Sequence, residues 1–394
     1  MTSTHFSDGK RISLLGYGAM RMPESAPGKI DQDHLNRQVK QLLDGGVTYF
    51  DTSPAYCRGQ SESCLGAAFA ASGYARENYV IATKLSNFAA AQQSLPACKE
   101  MFAHSLKALR TDYIDNYLLH SIGGGGMPNF SRRFLDNGAL DWCRELRAQR
   151  KIRNLGFSFH GDRRVFDWCL EHHDACKWDF AMIQMNYVDW HTGEAKALYD
   201  ALTALKIPVA IMEPVLGGRL ARYNWSIANE LAPFDPEATQ AKWAFRFCGS
   251  FGNVMTVLSG MGRDEHIEEN IRTFSPLKPC SEEELAALKR AAEAFANCNT
   301  IPCNSCNYCM PCPYGLDIPS ILTFRNQYLT KDEGRSAKEL LRLYAKAVPE
   351  ELRRADHCTG CGRCSTHCPQ QIDIPKEIAA IDETIDKLKA EVAK

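Results

Sequence analysis

A chain of 394 residues, 45% hydrophobic and 24% charged with a net charge of −1, is long enough for one large domain plus a smaller one. That balance gives no reason to expect nucleic acid or an acidic membrane surface as a partner. The segment Met1 to Ser7 lacks an apolar secretion core and no apolar run approaches membrane-spanning length, so a cytoplasmic protein is expected.

Along the chain, short β-like runs alternate with longer amphipathic segments. The strand candidates are Ile12–Gly16, Val47–Phe50, Tyr79–Thr83, Ile114–Leu119, Asn154–Ser158, Phe180–Gln184, Val209–Glu213 and Val254–Leu258. Helical patterns lie between them, including His34–Leu43, Cys98–Leu109, Phe134–Gln149 and Glu194–Leu205. Eight strand-plus-helix units over roughly 270 residues match the count and size of a (β/α)8 TIM barrel. The competitor, a doubly wound open sheet, would carry a Gly-rich dinucleotide turn after its first strand, and Gly16-Tyr-Gly-Ala-Met-Arg21 lacks that spacing. The expected fold is therefore α/β: a barrel over residues 1–275 and a helical domain over 276–394.

Barrel enzymes place their chemistry at the C-terminal ends of strands. Asp51, Lys84 and His120 end the second, third and fourth candidates, and Ser158, Gln184, Glu213 and Ser259 follow at later ends. Pro54 and the Ser53 hydroxyl favour a turn that presents Tyr56 beyond Asp51. Each residue has a plain structural reading. Asp51 would be a turn cap, Tyr56 a half-buried aromatic, Lys84 a solvated charge and His120 a satisfied core histidine. Four in consecutive units are harder to explain that way. Together Phe50-Asp-Thr-Ser-Pro-Ala-Tyr56, Gly59-Gln-Ser-Glu62, Thr83-Lys84, Asp112-Tyr-Ile-Asp-Asn-Tyr-Leu-Leu-His120 and Gly156-Phe-Ser158 resemble the aldo/keto reductase superfamily over roughly residues 10–275.

The resemblance implies Tyr56 as proton donor, Asp51 and Lys84 as its tuning pair, and His120 as a hydrogen-bond donor to a substrate carbonyl. The chemistry agrees. A carbonyl that accepts hydride becomes an alkoxide, which needs a proton and hydrogen bonds aimed at its oxygen. A phenol titrates near 10, and an ammonium about 4 Å away at an effective dielectric near 20 favours phenolate by about 4 kcal/mol.

The resemblance also implies a nucleotide site for NADP or NAD, lined by Ser158, Gln184, Pro214, Ser259, Gly260, Met261, Arg263, Glu269 and Asn270. It departs from the family pattern in several places. Gly260 stands at the family's usual Lys and His266 at a common Arg, which leaves Arg263 for a 2′-phosphate. Phe159 replaces the Asn beside Ser158, and Met212 stands where an aromatic ring usually stacks on nicotinamide. His160 and Cys57 read as pocket lining. The Ser121-Ile-Gly-Gly-Gly-Gly-Met127 loop reads as flexible and placed at the substrate entrance, without naming the substrate.

The 17 cysteines are unusual. Nine are scattered over residues 57–298 and eight crowd between Cys303 and Cys368, which argues for thiolate–metal ligation rather than disulfides. Ser281 and Glu284 form the capping pattern of a helix over Ser281–Ala296. Beyond it, Cys303, Cys306, Cys309 and Cys312 are echoed by Cys358, Cys361, Cys364 and Cys368. The echo runs on through Asp317-Ile-Pro319 and Asp373-Ile-Pro375, an internal repeat of about 55 residues, with a charged helical insert over about Ile321–Arg354 between the copies.

The second copy is the bacterial ferredoxin run, C-x2-C-x2-C-x3-C-P, ending in Pro369, and the first is one residue short. Zinc is the competing ligand, but three cysteines at successive two-residue gaps suit a cubane better. By ferredoxin analogy the fourth cysteine crosses over. One 4Fe–4S cluster would take Cys303, Cys306, Cys309 and Cys368, the other Cys358, Cys361, Cys364 and Cys312. The chain thus resembles aldo/keto reductases that carry a C-terminal ferredoxin-type domain with two 4Fe–4S clusters.

A nicotinamide passes two electrons at once and a cluster one. The clusters therefore either exchange electrons with an external ferredoxin or flavoprotein, with a flavin or radical-tolerant substrate in the barrel, or only hold the C-terminal domain onto the barrel while ordinary NADP chemistry proceeds without them. The expected activity is interconversion of a small-molecule carbonyl and alcohol. The alternative is an electron-transfer or redox-sensing protein that keeps the barrel as a scaffold.

Overall fold

A computed structural model describes the chain except residues 7–8, 27, 223, 299, 330–333, 350–351, 369 and 394, together with the side chains of residues 225 and 226. Pro369 and part of the insert thus lie outside the described residues. Eight strands close a barrel: β1 (Leu15–Gly18), β2 (Tyr49–Asp51), β3 (Val80–Leu85), β4 (Ile114–Ile122), β5 (Ile152–Phe159), β6 (Phe180–Gln184), β7 (Val209–Met212) and β8 (Val254–Ser259). All neighbours are parallel and follow chain order, and β8 returns to β1 through Val257–Leu15, Leu258–Gly16 and Ser259–Tyr17. Short parallel strands joined by outer helices gather every strand's C-terminal end on one rim.

The first strand differs from expectation. Arg11–Ser13 pairs antiparallel with Ser3–His5 instead of entering the ring. Ile12 and Phe6 are buried against Val80, Phe180 and Met182, near the strands' starts, and the Phe6 and Phe180 rings meet edge-on at 6.3 Å. The apolar run from Ile12 therefore serves two purposes, a floor plug and then β1.

The outer helices that frame the rim are α1 (Gln32–Asp44), α2 (Ser61–Ser72), α3 (Leu95–Leu109), α4 (Ala139–Ala148), α5 (Arg163–Glu171), α6 (Ala195–Ala204), α7 (Gln240–Gly249) and α8 (Asp264–Thr273). Side-chain caps start several of them, such as Asp31 accepting from the His34 amide and Ser94 from that of Ala97. The pattern read as a helix from Phe134 splits. Ser131–Leu135 forms a separate π-turn, Gly138 turns at φ +71°, and α4 begins at Ala139. The capping box of α9 (Glu282–Ala296) is present, with the Ser281 amide on Glu284 at 2.8 Å and the Glu284 amide on the Ser281 hydroxyl at 3.2 Å. Glu284 also pairs with Arg246 of α7 at 2.6 Å, and both are buried.

The chain forms two compact units, one of Met1–Val215 with Leu220–Ala292, the other of Leu216–Arg219 with Glu293–Lys394. The second contains α10 (Ile318–Phe324), α11 (Ala337–Ala347) and α12 (Ile374–Val392) around an apolar core of Ile321, Phe324, Tyr344, Ile378, Ile381 and others. The repeated Asp-Ile-Pro explains two of these helices. Asp317 and Asp373 cap α10 and α12, and the prolines fall in the first turn, where a missing N–H costs nothing. Among the described residues no helix is long and apolar enough to cross a membrane.

Candidate active site and thiolate centre

The ends of β2, β3 and β4 bring Asp51, Lys84 and His120 to the rim, all three buried. Lys84 Nζ donates to Asp51 Oδ1 at 2.6 Å and to the Thr52 carbonyl at 2.7 Å. The same ammonium lies 4.7 Å from the centre of the Tyr56 ring. Burial pushes the Asp51 carboxyl up and the Lys84 ammonium down, and their ion pair opposes both shifts. The other Asp51 oxygen, Oδ2, is buried without a hydrogen-bond partner among the described residues. Behind Lys84, the buried Glu62 accepts from Thr83 at 2.6 Å and from Ser105 at 3.1 Å.

Tyr56 is half-buried, at the start of a single tight turn over Tyr56–Gly59. The two residues after it, Cys57 and Arg58, hold φ of 50° and 56°, a left-handed conformation costly for non-glycine residues. Gln60 steadies the turn by donating to the carbonyls of Gly28 and Cys57. Ser53 makes the expected turn, accepting from the Ala55 amide at 3.1 Å. Strained backbone held this way is characteristic of functional loops. The Tyr56 and His120 rings meet edge-on, with centres 5.7 Å apart. His120 is pushed well below its ordinary value, first by burial and then by the nearby Lys84, Arg133 and His160. Its ring is therefore neutral at physiological pH.

Three further residues at this rim carry no sequence signal. Ser86, just past β3, lies 2.6 Å from His120 Nδ1. Arg133 donates to the carbonyls of His120 at 2.7 Å and Ser121 at 3.1 Å, and to Asn87. Its guanidinium sits between the Phe88 and Phe134 rings at 4.8 and 4.6 Å, which fixes the end of β4. The glycine loop after β4 is packed rather than loose. A Cβ on Gly123 (φ +93°) would lie 2.4 Å from the His160 carbonyl, and Asn129 donates to the Gly124 carbonyl. His160 beside it is pulled down to about 4 by burial and by Lys84.

Of the residues expected at the nucleotide site, Ser158, Gln184, Pro214 and Ser259 fall at or just past the ends of β5 to β8, Gly260, Met261 and Arg263 in the loop after β8, and Glu269 and Asn270 on α8. Ser158 accepts from the Ser121 amide at 2.8 Å, and Gln184 donates to Asp189 at 2.7 Å. Pro214 and Met261 are buried. Ser259 accepts from the buried Asn270 at 3.0 Å, and Glu269 accepts from Thr239. Arg263 is exposed. Gly260 lies beneath Arg21, whose aliphatic stem passes 3.5 Å from where a Cβ would stand.

In the second unit, one cavity is lined by Cys303, Cys306, Cys309 and Cys368 together with Pro319, Leu322, Ile372 and Ile374. Cys312 does not line it, although it is nearer in sequence. Burial and the neighbouring Cys306 and Cys303 push the Cys309 thiol up to about 12. Four thiols around one apolar-backed space fit an iron–sulfur cubane, whose positive irons offset the repulsion among thiolates. Among the described residues no three His, Cys, Asp or Glu side chains converge closely enough for a single metal ion. Cys358 and Cys364 lie near one another, while Cys361 is exposed.

Comparison with known proteins agrees with this architecture. Residues 14–293 match the Aldo/keto reductase family and residues 283–372 the 4Fe-4S dicluster domain. The chain belongs to the aldo/keto reductase family of oxidoreductases and carries a C-terminal 4Fe–4S dicluster domain. L-galactose dehydrogenase of Arabidopsis thaliana is 25% identical over 290 residues, 68% of this chain and 86% of that protein. Aldo-keto reductase YhdN of Bacillus subtilis (strain 168) is 33% identical over 126 residues, 30% of this chain and 38% of that protein. Among solved structures, the holo form of aldo-keto reductase AKR11C1 from Bacillus halodurans aligns with a TM-score of 0.59 at 22% identity, covering 75% of this chain and 97% of that one. An aldo-keto reductase from Klebsiella pneumoniae in complex with NADPH aligns with a TM-score of 0.60 at 22% identity, covering 74% and 95%. At that identity these structures show the shared barrel alone.

Proposed function

We propose that the barrel interconverts a small-molecule carbonyl and its alcohol with NADP or NAD, using Tyr56 as the proton donor. The observation that carries this reading is Lys84, held by Asp51 at 2.6 Å and 4.7 Å from the Tyr56 ring centre. A bound nicotinamide supplies or accepts the hydride. Tyr56 gives its proton to the forming alkoxide, and the Lys84 ammonium stabilises the phenolate left behind. Asp51 keeps Lys84 aimed, and neutral His120 donates a hydrogen bond to the carbonyl oxygen. Ser158 and Gln184 would face the nicotinamide amide, and Ser259, Glu269 and Asn270 the adenosine end. Arg263, which is exposed, is the candidate for a 2′-phosphate. Tyr56→Phe, assayed on a carbonyl panel with NADPH and NADH, should lower turnover at least about a hundredfold with the fold intact. Near-normal turnover removes Tyr56 from the role.

In the second unit we propose two 4Fe–4S clusters, one on Cys303, Cys306, Cys309 and Cys368 and the other on Cys358, Cys361, Cys364 and Cys312. Six of the eight cysteines pack against the apolar core of this unit, which favours clusters that hold it folded. Anaerobically purified protein should show a broad shoulder near about 400 nm that dithionite bleaches. If NADPH bleaches it as well, or if flavin bands accompany it, the clusters carry electrons and the structural reading fails.

A further inference from the structure

The carbonyl-reducing reading asks His120 to present an N–H to the substrate, and a neutral imidazole has only one to give. Which nitrogen carries it is set by what the other one touches. His120 Nδ1 lies 2.6 Å from the Ser86 hydroxyl oxygen and 3.3 Å from that of Ser53, and the two hydroxyl oxygens are 2.8 Å apart. All three residues are buried, so water cannot substitute for a missing partner.

The direction of the chain follows from where each proton can find an acceptor. The Ala55 amide can only donate, and it donates to the Ser53 oxygen at 3.1 Å. In one arrangement Ser53 donates to Ser86 at 2.8 Å, and Ser86 donates to Nδ1 at 2.6 Å. Every proton has an acceptor. In the reverse arrangement Nδ1–H donates to Ser86: if Ser86 then donates to Ser53, the Ser53 proton has no acceptor among the described residues, and if Ser53 donates to Ser86, the Ser86 proton is left only the Lys84 carbonyl at 3.5 Å, too long for a good O–H···O bond. Protonating both ring nitrogens meets burial together with the charges of Lys84 and Arg133.

We propose that Ser53 and Ser86 are positioning residues that hold His120 as its Nε2–H tautomer, so that the ring edge away from the serines is a permanent donor to the substrate oxygen. The relay joins the loops after β2 and β3 to the end of β4, so the turn that presents Tyr56 also sets the proton position on His120. This rests on the carbonyl-reducing reading for its purpose but not for its geometry.

The test is nitrogen NMR of the full-length, cluster-loaded protein labelled at its 11 histidines, with His120 assigned by difference against His120→Gln. The wild type should show a protonated Nε2 and an unprotonated Nδ1. Ser53→Ala/Ser86→Ala should let the proton move to Nδ1 and lower kcat about 10- to 100-fold with little change in KM, and Ser86→Thr should restore both. A wild-type proton on Nδ1, or a tautomer unmoved by the double substitution, overturns the relay. Absence of any carbonyl reduction alongside an Nε2–H signal would instead overturn the catalytic reading and leave the relay standing.

Discussion

The rim of the barrel and the thiolate centre solve opposite problems. At the rim the chain pairs its own cationic and imidazole groups: Lys84 has Asp51 and a carbonyl, His120 has two serines, and Arg133 has three acceptors. In the second unit thiols crowd around the cavity against an apolar core, and the neighbouring Cys306 and Cys303 make ionisation of Cys309 harder. The barrel site is organised before any ligand arrives. The thiolate site needs an external cation to become favourable.

The largest effect should come from removing iron. A structural metal contributes on the order of 10 kcal/mol to a small domain, so anaerobic chelation should erase amide-exchange protection over residues 293–394 while the barrel strands stay protected. Retained protection in the iron-free protein would abolish the contrast. Next, Lys84→Met strands Asp51 as a buried charge and should cost about 3–5 kcal/mol in denaturant unfolding. Adding Asp51→Asn should recover part of that loss, and failure to recover would mean the pair is not the source.

Acid gives a smaller effect. His160 titrates near 6.5 when unfolded and at about 4 in the fold, facing the charge of Lys84. Between those values the unfolded chain binds more protons, so stability falls as pH drops from 6.5 to 4, by up to about 3 kcal/mol from this residue. His120 acts in the same direction. Melting of His160→Gln across that pH range should show a shallower slope, and an unchanged slope would place the loss elsewhere.

The parts of the molecule visible in the sequence are those that leave a local mark. Asp51, Lys84 and His120 each end an apolar run, so their rim positions could be read before any tertiary contact was known. The Asp-Ile-Pro echoes announce helix starts because capping is a four-residue affair. Ser86, Asn87 and Arg133 leave no such mark. A hydroxyl one residue past β3 changes no periodicity, and in the stretch Ser131-Arg-Arg133 nothing local tells a buried guanidinium from an exposed one. Their roles exist only where three loops converge. The misplaced first strand has a similar origin: β-propensity at Ile12 is real, but only packing decides whether a strand joins the ring or plugs its floor.

The four residues Leu216–Arg219 belong to the second unit, although the chain on either side of them belongs to the first. Gly217, at φ +65°, approaches Asn304 so closely that a Cβ would collide with it, and Arg219 bonds Thr300 and covers the Phe295 ring. Anyone excising the barrel by cutting after Ala292 would delete the surroundings of this segment, a few residues downstream of Met212. An isolated barrel is therefore a poor stand-in for the native enzyme. Its altered kinetics would report a frayed β7 loop as much as the loss of iron.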